Sequence, residues 1–316
     1  MKQLLLILKL VVTASLCLWL YTRVDIQTLK ESMARLGPLP IVIGVLLHMA
    51  VVILSASRWW LLLTHAHSAI PFFKAFPSYY LGVFYNNFLP TGLGGDTVRI
   101  LHMRTRGVGM KSLVSASVVD RAIGFSTIFM AGMIGVFSSE ELRIPAHTKS
   151  VLTTVFLFGL FVAGWTLSNH SGRLIKSLIQ KYGHTRVRGW ILDVILTCYS
   201  YRAEKKRIVL AVTISAMGQG LVILTYYLIG HGLGLDLSLT TYLVAIPAVF
   251  LAASLPISIG GLGIREGTLV GILVAAGANL HLAVNLSLLY LIVFWISTLP
   301  GALVPLLSRT SMISRS

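Results

Sequence analysis

The sequence predicts an all-α polytopic membrane protein. About seven spanning helices and two re-entrant helical hairpins form an inverted repeat within one transmembrane domain, residues 1–316. Three observations predict this. Hydrophobic residues make up 56% of the chain and charged residues 11%, with a mean hydropathy of +0.84, far outside the soluble globular range. Several apolar runs reach the ~20 helical residues that cross about 30 Å of hydrocarbon. One motif also occurs twice: Leu89, Pro90, Gly94, Gly95 and Arg99 return as Leu255, Pro256, Gly260, Gly261 and Arg265, each displaced by 166 residues.

Spanning helices are expected over roughly 3–21, 39–63, 112–137, 149–167, 206–230, 264–280 and 284–307. The first follows Met1-Lys2 and reads as an uncleaved helix, because Cys17 comes after Leu16 and no small-x-small cleavage site is evident. The second ends on Arg58-Trp59-Trp60, which reads as an interface anchor; Lys9 reads as a snorkelling residue. Segment 71–98 is apolar and aromatic but carries Lys74, Pro77, Gly82, Asn86, Asn87 and Pro90, and so reads as the first hairpin. The helix 112–137 holds Asp120-Arg121 among the small residues Ser115, Ala116, Ser117, Ala122 and Gly124, which lets it approach a neighbour closely. Segment 239–263, broken by Pro247, Pro256 and several glycines, is the second hairpin. Repeat 1 thus covers about 39–137 and repeat 2 about 206–280, joined through a basic linker at about 168–205. In that linker Leu174, Ile175, Leu178 and Ile179, then Trp190, Ile191, Val194 and Ile195, alternate with basic residues as an interfacial helix pair would. A solvated basic loop would read the same way.

The net charge of +16 comes from 26 Lys and Arg that gather in loops, which argues for membrane topology and against nucleic acid. Residues 99–111 carry Arg99, Arg104, Arg106 and Lys111 without an acid, and 168–207 carry nine basic residues against Asp193 and Glu204, so both are expected in the cytoplasm. Loops 138–148 and 231–238 are poor in basic residues and are expected outside. The first hairpin then opens from the cytoplasm and the second from the outside. Counted from a cytoplasmic N-terminus, seven spans leave Arg309 and Arg315 outside, against the charge rule.

Polar groups at membrane depth are costly, so each is a site candidate. The first repeat offers Asn86, Asn87, Pro90, Gly94, Gly95, Asp96 and Arg99, and the second offers Pro256, Ser258, Gly260, Gly261, Gly263, Arg265 and Glu266, with Asp120 and Arg121 between them. Each Pro stops an incoming helix, the glycines bare the backbone, and a restarted helix with an Arg one turn on favours an anion such as phosphate. Arg99, Arg121 and Arg265 are the expected phosphate contacts. An adjacent acid points about 100° away on a helix, so Glu266 is expected near Arg99 or Arg121 and Asp120 near Arg265. Two cysteines, Cys17 and Cys198, build no disulfide framework, and no spacing suggests a metal or other cofactor. The nine histidines form no relay, and no Ser-His-Asp set or P-loop accompanies the acids, so no catalytic residue is assigned.

At these residues the chain resembles the family built on the transmembrane region of lysylphosphatidylglycerol synthase, also called flippase-like. The resemblance rests on Asn86, Pro90, Gly94-Gly95 and Arg99, on Asp120-Arg121, and on Pro256, Gly260-Gly261, Gly263 and Arg265-Glu266. It spans about residues 5–305. It implies a lipid-handling domain in a bacterial inner or plasma membrane, with anionic membrane lipids and a lipid-modifying enzyme as partners. Synthase activity is not carried over, since the chain ends at Ser316 with no soluble domain. The expected function is translocation of an anionic, aminoacylated or polyprenyl-phosphate-linked lipid. The alternatives are a transferase acting on a lipid-linked sugar and a scaffold that presents lipid to a partner.

Overall fold

A computed structural model describes residues 2–23, 25–66, 70–89, 94–142, 144–154, 157, 177, 186–255 and 257–305. Among these no strand occurs. The principal helices are α1 (Lys2–Tyr21), α2 (Ile26–Leu36), α3 (Leu39–Leu63), α4 (Phe72–Asn86), α5 (Gly94–Arg104), α6 (Met110–Ser138), α7 (Arg186–Ser200), α8 (Lys205–Gly232), α9 (Leu239–Ser254), α10 (Ile264–Ala275) and α11 (Leu280–Thr298), which continues as a tighter 3-10 turn, Leu299–Leu303.

The repeat written in the motif is also a repeat of helices. A long–short–short–long quartet, α3 to α6, starts at residues 39, 72, 94 and 110; its second copy, α8 to α11, starts at 205, 239, 264 and 280. By length and composition α3, α6, α8 and the α11 segment to Leu303 are able to cross a membrane. The expected span at 264–280 is not one of them. Gly277, at φ +96°, ends that run, so α10 covers 12 residues, about 18 Å at 1.5 Å per residue. It is the second arm of the second broken pair, as α5 is of the first. Likewise 99–111 is not all loop: Asp96 lies in the first turn of α5 and His102 and Arg104 in its last, charges that suit the helix dipole, and the helix carries Arg99 into the interior. Of the expected span 149–167, only 149–154 and 157 are described, all helical.

The quartets pack against each other. The long α3 and α8 run side by side, with Gly44 at their contact, where a Cβ would touch Ile229, Thr225 and Val293 at an ordinary 3.4 Å. Two further glycines, 166 residues apart, close reciprocal contacts. A Cβ on Gly135 of α6 would stand 2.6 Å from the Leu243 carbonyl carbon of α9, and one on Gly301 would stand 2.5 Å from the Tyr80 carbonyl oxygen of α4. In each case the last long segment of one repeat lies on the first short helix of the other. Within the first broken pair, Gly82 faces Gly95, where a Cβ would meet the carbonyl oxygen at 2.6 Å.

Two peripheral helices complete the frame. The sequence reading did not anticipate α2; Asp25 caps it, accepting from Gln27 N at 2.9 Å, and Ser32 anchors it by accepting from Asn285 Nδ2 at 3.3 Å. The described part of the basic linker is α7, docked on the start of α6 through Val194, while Trp190, Ile191 and Ile195 of the same helix are exposed. The earlier half of the linker, 168–185, lies outside the described residues apart from 177.

Candidate functional site

The breaks in the two short-helix pairs meet between the quartets. Gly260, held at φ +60°, passes so close to the end of α4 that a Cβ would stand 2.6 Å from the Asn87 carbonyl oxygen. Such a φ is unfavourable for other residues, so both the turn and the contact require glycine. Asn87 Nδ2 also donates to Thr298 Oγ1 at 3.0 Å, tying the first break to the end of α11. Around this junction lies a cavity of about 360 Å³, a size typical of ligand pockets.

Of the sequence candidates, the cavity wall includes Asn86, Gly95, Asp96, Arg99, Asp120, Arg121, Ser258, Gly260, Gly261 and Arg265. Asn87, Gly94, Gly263 and Glu266 stand behind it. Gly94 packs beside Leu89, and Gly263, at φ +81°, starts α10. Pro90 and Pro256 lie outside the described residues. Asn86 clasps its own hairpin, its Oδ1 accepting from Gly95 N at 3.4 Å.

Repeat 1 contributes a cluster of three arginines and two aspartates. Asp120, 3% exposed on α6, accepts from Arg58 Nε at 2.6 Å on one oxygen and from Arg99 Nη2 at 3.1 Å on the other. Asp96 lies 2.8 Å from Arg99 Nη2 and accepts from Arg121 Nε. The Arg99 guanidinium lies over the Trp59 ring at 4.7 Å and over the Tyr79 ring at 4.8 Å, whose π-faces attract the cation. Trp59 is fixed in turn by donating to Ser117 Oγ at 3.2 Å. Arg58 packs beside Gly124, and its guanidinium also reaches Ser215 of α8; Ser215 meets Thr127 at 2.6 Å.

This overturns two expectations. Arg58 is not an interface anchor but is 8% exposed inside the bundle, because Asp120 compensates its charge. The acids do not pair across the repeats either. Asp120 pairs with Arg58 and Arg99, and Glu266 with its neighbour Arg265: Nε donates to Oε1 at 2.9 Å, and Nη2 lies 2.8 Å from the same oxygen. At the start of a helix the long Arg stem curls back across the 100° that separates adjacent residues. The other Glu266 oxygen accepts from Gly263 N at 2.6 Å, capping α10.

The surroundings of Arg265 are aromatic. Its guanidinium lies 5.0 Å from the Phe294 ring; Tyr290 stacks on Tyr226 at 3.6 Å, and its hydroxyl meets His48 Nδ1 at 3.1 Å. All five residues line the cavity. None of His48, Tyr79, Tyr226, Tyr290 and Phe294 stood out in the sequence, where an aromatic residue in an apolar run reads as core. The only signal for Arg58 was that it is a cation inside a spanning run. Among the described residues no group of three or more His, Cys, Asp or Glu is arranged to hold a metal.

Comparison with known proteins finds membrane-protein relatives. The chain is 25% identical to a UPF0104 membrane protein of Pyrococcus horikoshii over the whole of both chains, and 25% identical to a UPF0104 membrane protein of Methanothermobacter thermautotrophicus over 88% of each. Both relatives are archaeal, so a membrane location carries over and a specifically bacterial one does not. No solved structure matches. The family described as the lysylphosphatidylglycerol synthase TM region matches residues 6–301, and the chain belongs to that family.

Proposed function

We propose that this membrane protein binds the headgroup of an anionic lipid in the cavity between its repeats and moves that lipid across the bilayer. The observation that carries the reading is the convergence of Arg99 and Arg265, one from each repeat, on a single cavity at the junction of two broken helix pairs. Arginine's planar fork suits phosphate oxygens, and broken helices are where transporters bare backbone groups to a substrate. The formal charge supports an anion. Arg58, Arg99, Arg121 and Arg265 face Asp96, Asp120 and Glu266, a surplus of one positive charge.

The same reading takes the quartets as inverted, so that the cavity opens alternately to the two sides. Cysteines at Thr105, before α6, and His281, at the start of α11, then label from opposite faces; labelling of both from one face contradicts the inversion. Translocation is tested in vesicles loaded with the purified chain and a headgroup-labelled phosphatidylglycerol. The expected result is protein-dependent exchange between leaflets, lost on Arg265→Gln; exchange no faster than in empty vesicles contradicts the proposal. Appearance of a covalently modified lipid would support a transferase instead.

A further inference from the structure

We propose that the cavity seats one phosphate oxyanion on the second repeat, held by Ser258 Oγ and Arg265 Nη2 beside the turn at Gly260 and Gly261. The inference rests on the anionic-lipid reading only for the source of the phosphate, a lipid headgroup or free phosphate.

Six buried side-chain atoms among the described residues lack a hydrogen-bond partner, and three of them belong to residues of the cavity wall: Arg99 Nε, Ser258 Oγ and Arg265 Nη2. Buried polar atoms are nearly always satisfied, so an orphan on a residue of the cavity wall points to the kind of group the wall can take. The two repeats differ here. Arg99 already gives Nη2 to two carboxylates and lies over the rings of Trp59 and Tyr79, with Nε alone unpartnered. Arg265 faces one carboxylate, and Nη2, though 2.8 Å from Glu266, makes no hydrogen bond to it. Ser258 is 3% exposed, and its hydroxyl has no hydrogen-bond partner among the described residues. A guanidinium N–H can only donate and a hydroxyl can donate beside it, so one phosphate oxyanion satisfies both, and the surplus of one positive charge is neutralised by a single monoanionic phosphodiester.

The test uses the full chain in a phosphate-free maltoside detergent, with inorganic phosphate and phosphatidylglycerol in mixed micelles as separate probes. Affinity and the thermal midpoint are both read. Wild type should bind each probe and gain thermal stability from it. Ser258→Ala should keep or raise the midpoint of the empty protein, because the hydroxyl lost had no partner, and should weaken both probes about fivefold, the worth of one hydrogen bond. Arg265→Lys should weaken both about tenfold. The double variant should lose less than the product of the two, since both groups grip one anion. Ser126→Ala, on the exposed side of α6, should change neither quantity. A lowered empty midpoint in Ser258→Ala with the probe-induced gain intact overturns the seat, as does undiminished binding by both single variants. Phosphatidylglycerol bound equally by wild type and variants leaves the lipid reading standing without the seat. Phosphate bound in this pattern with no lipid binding leaves the seat and removes the lipid reading.

Discussion

Arg99 and Arg265 hold equivalent positions in the two repeats but differ in how fully they are occupied. Arg99 is enclosed by two aspartates and two aromatic rings, whereas Arg265 meets one glutamate and one ring. The duplicated motif therefore preserves a backbone path and a cation, while the partners diverge. Repeat 1 uses its arginine largely to hold α3, α5 and α6 together, and repeat 2 is the half to which the proposal gives the ligand.

The sharpest way to break this comparison is at Asp120. Its removal leaves Arg58 and Arg99 buried without their common carboxylate, and Asp120→Ala should cost about 3–5 kcal/mol of stability, read from thermal or denaturant unfolding in detergent. A loss well under this would mean that the cluster is not the support of repeat 1. Gly301→Ala should come next, at about 1–3 kcal/mol, because its Cβ would meet the Tyr80 carbonyl oxygen at 2.5 Å. Gly135→Ala should cost about as much if the two reciprocal contacts are equivalent, and a large imbalance would show that only one carries the inter-repeat packing.

Lysine substitution then separates the two arginines. Arg99→Lys loses the fork that meets two carboxylates and should cost on the order of 2 kcal/mol of stability. Arg265→Lys should cost less stability and show its main effect on phosphate affinity. Equal stability losses at both positions would erase the distinction.

The smallest effect is expected at Glu141, in the loop after α6, which accepts from Ser238 N at 2.8 Å and from the Thr241 hydroxyl at the start of α9. Burial pushes its carboxyl up, but the hydrogen bonds from Thr241 and Ser238 outweigh this and hold it below the ordinary 4.5. A lowered value means that the contact stabilises the fold above the ordinary carboxylate range and is lost as pH falls through the lowered value. Glu141→Gln should therefore be less stable near neutral pH by under about 1 kcal/mol at this partly exposed site. The gap to wild type should close as the medium is acidified below the ordinary carboxylate range, and a pH-independent gap would contradict the cause given.

Much of this was legible in the sequence because the signals are local. Pro90, Pro256 and the glycine pairs announce broken helices wherever they fall, and the common displacement of Arg99 and Arg265 identifies the repeat. The reach of α5 was hidden because four basic residues in 99–111 look like a cytoplasmic loop, while the helix that sinks Arg99 depends on Asp96 and on packing against α4. Charge pairing was illegible for another reason. Arg58 and Asp120 are 62 residues apart, and nothing in either neighbourhood names the other. The Arg265–Glu266 pair is hidden for a third reason: backbone directions separate adjacent helical residues by about 100°, but a long side chain at a helix start bends around them.

The central claim, that one anionic lipid headgroup sits between the repeats, is tested most directly by native mass spectrometry of the gently purified chain with its retained lipids identified. One anionic phospholipid per chain is predicted for wild type, with loss of that lipid in the Ser258→Ala, Arg265→Lys double variant while the protein remains folded. Retention of only neutral lipid, or equal retention of anionic lipid by the double variant, would contradict the account.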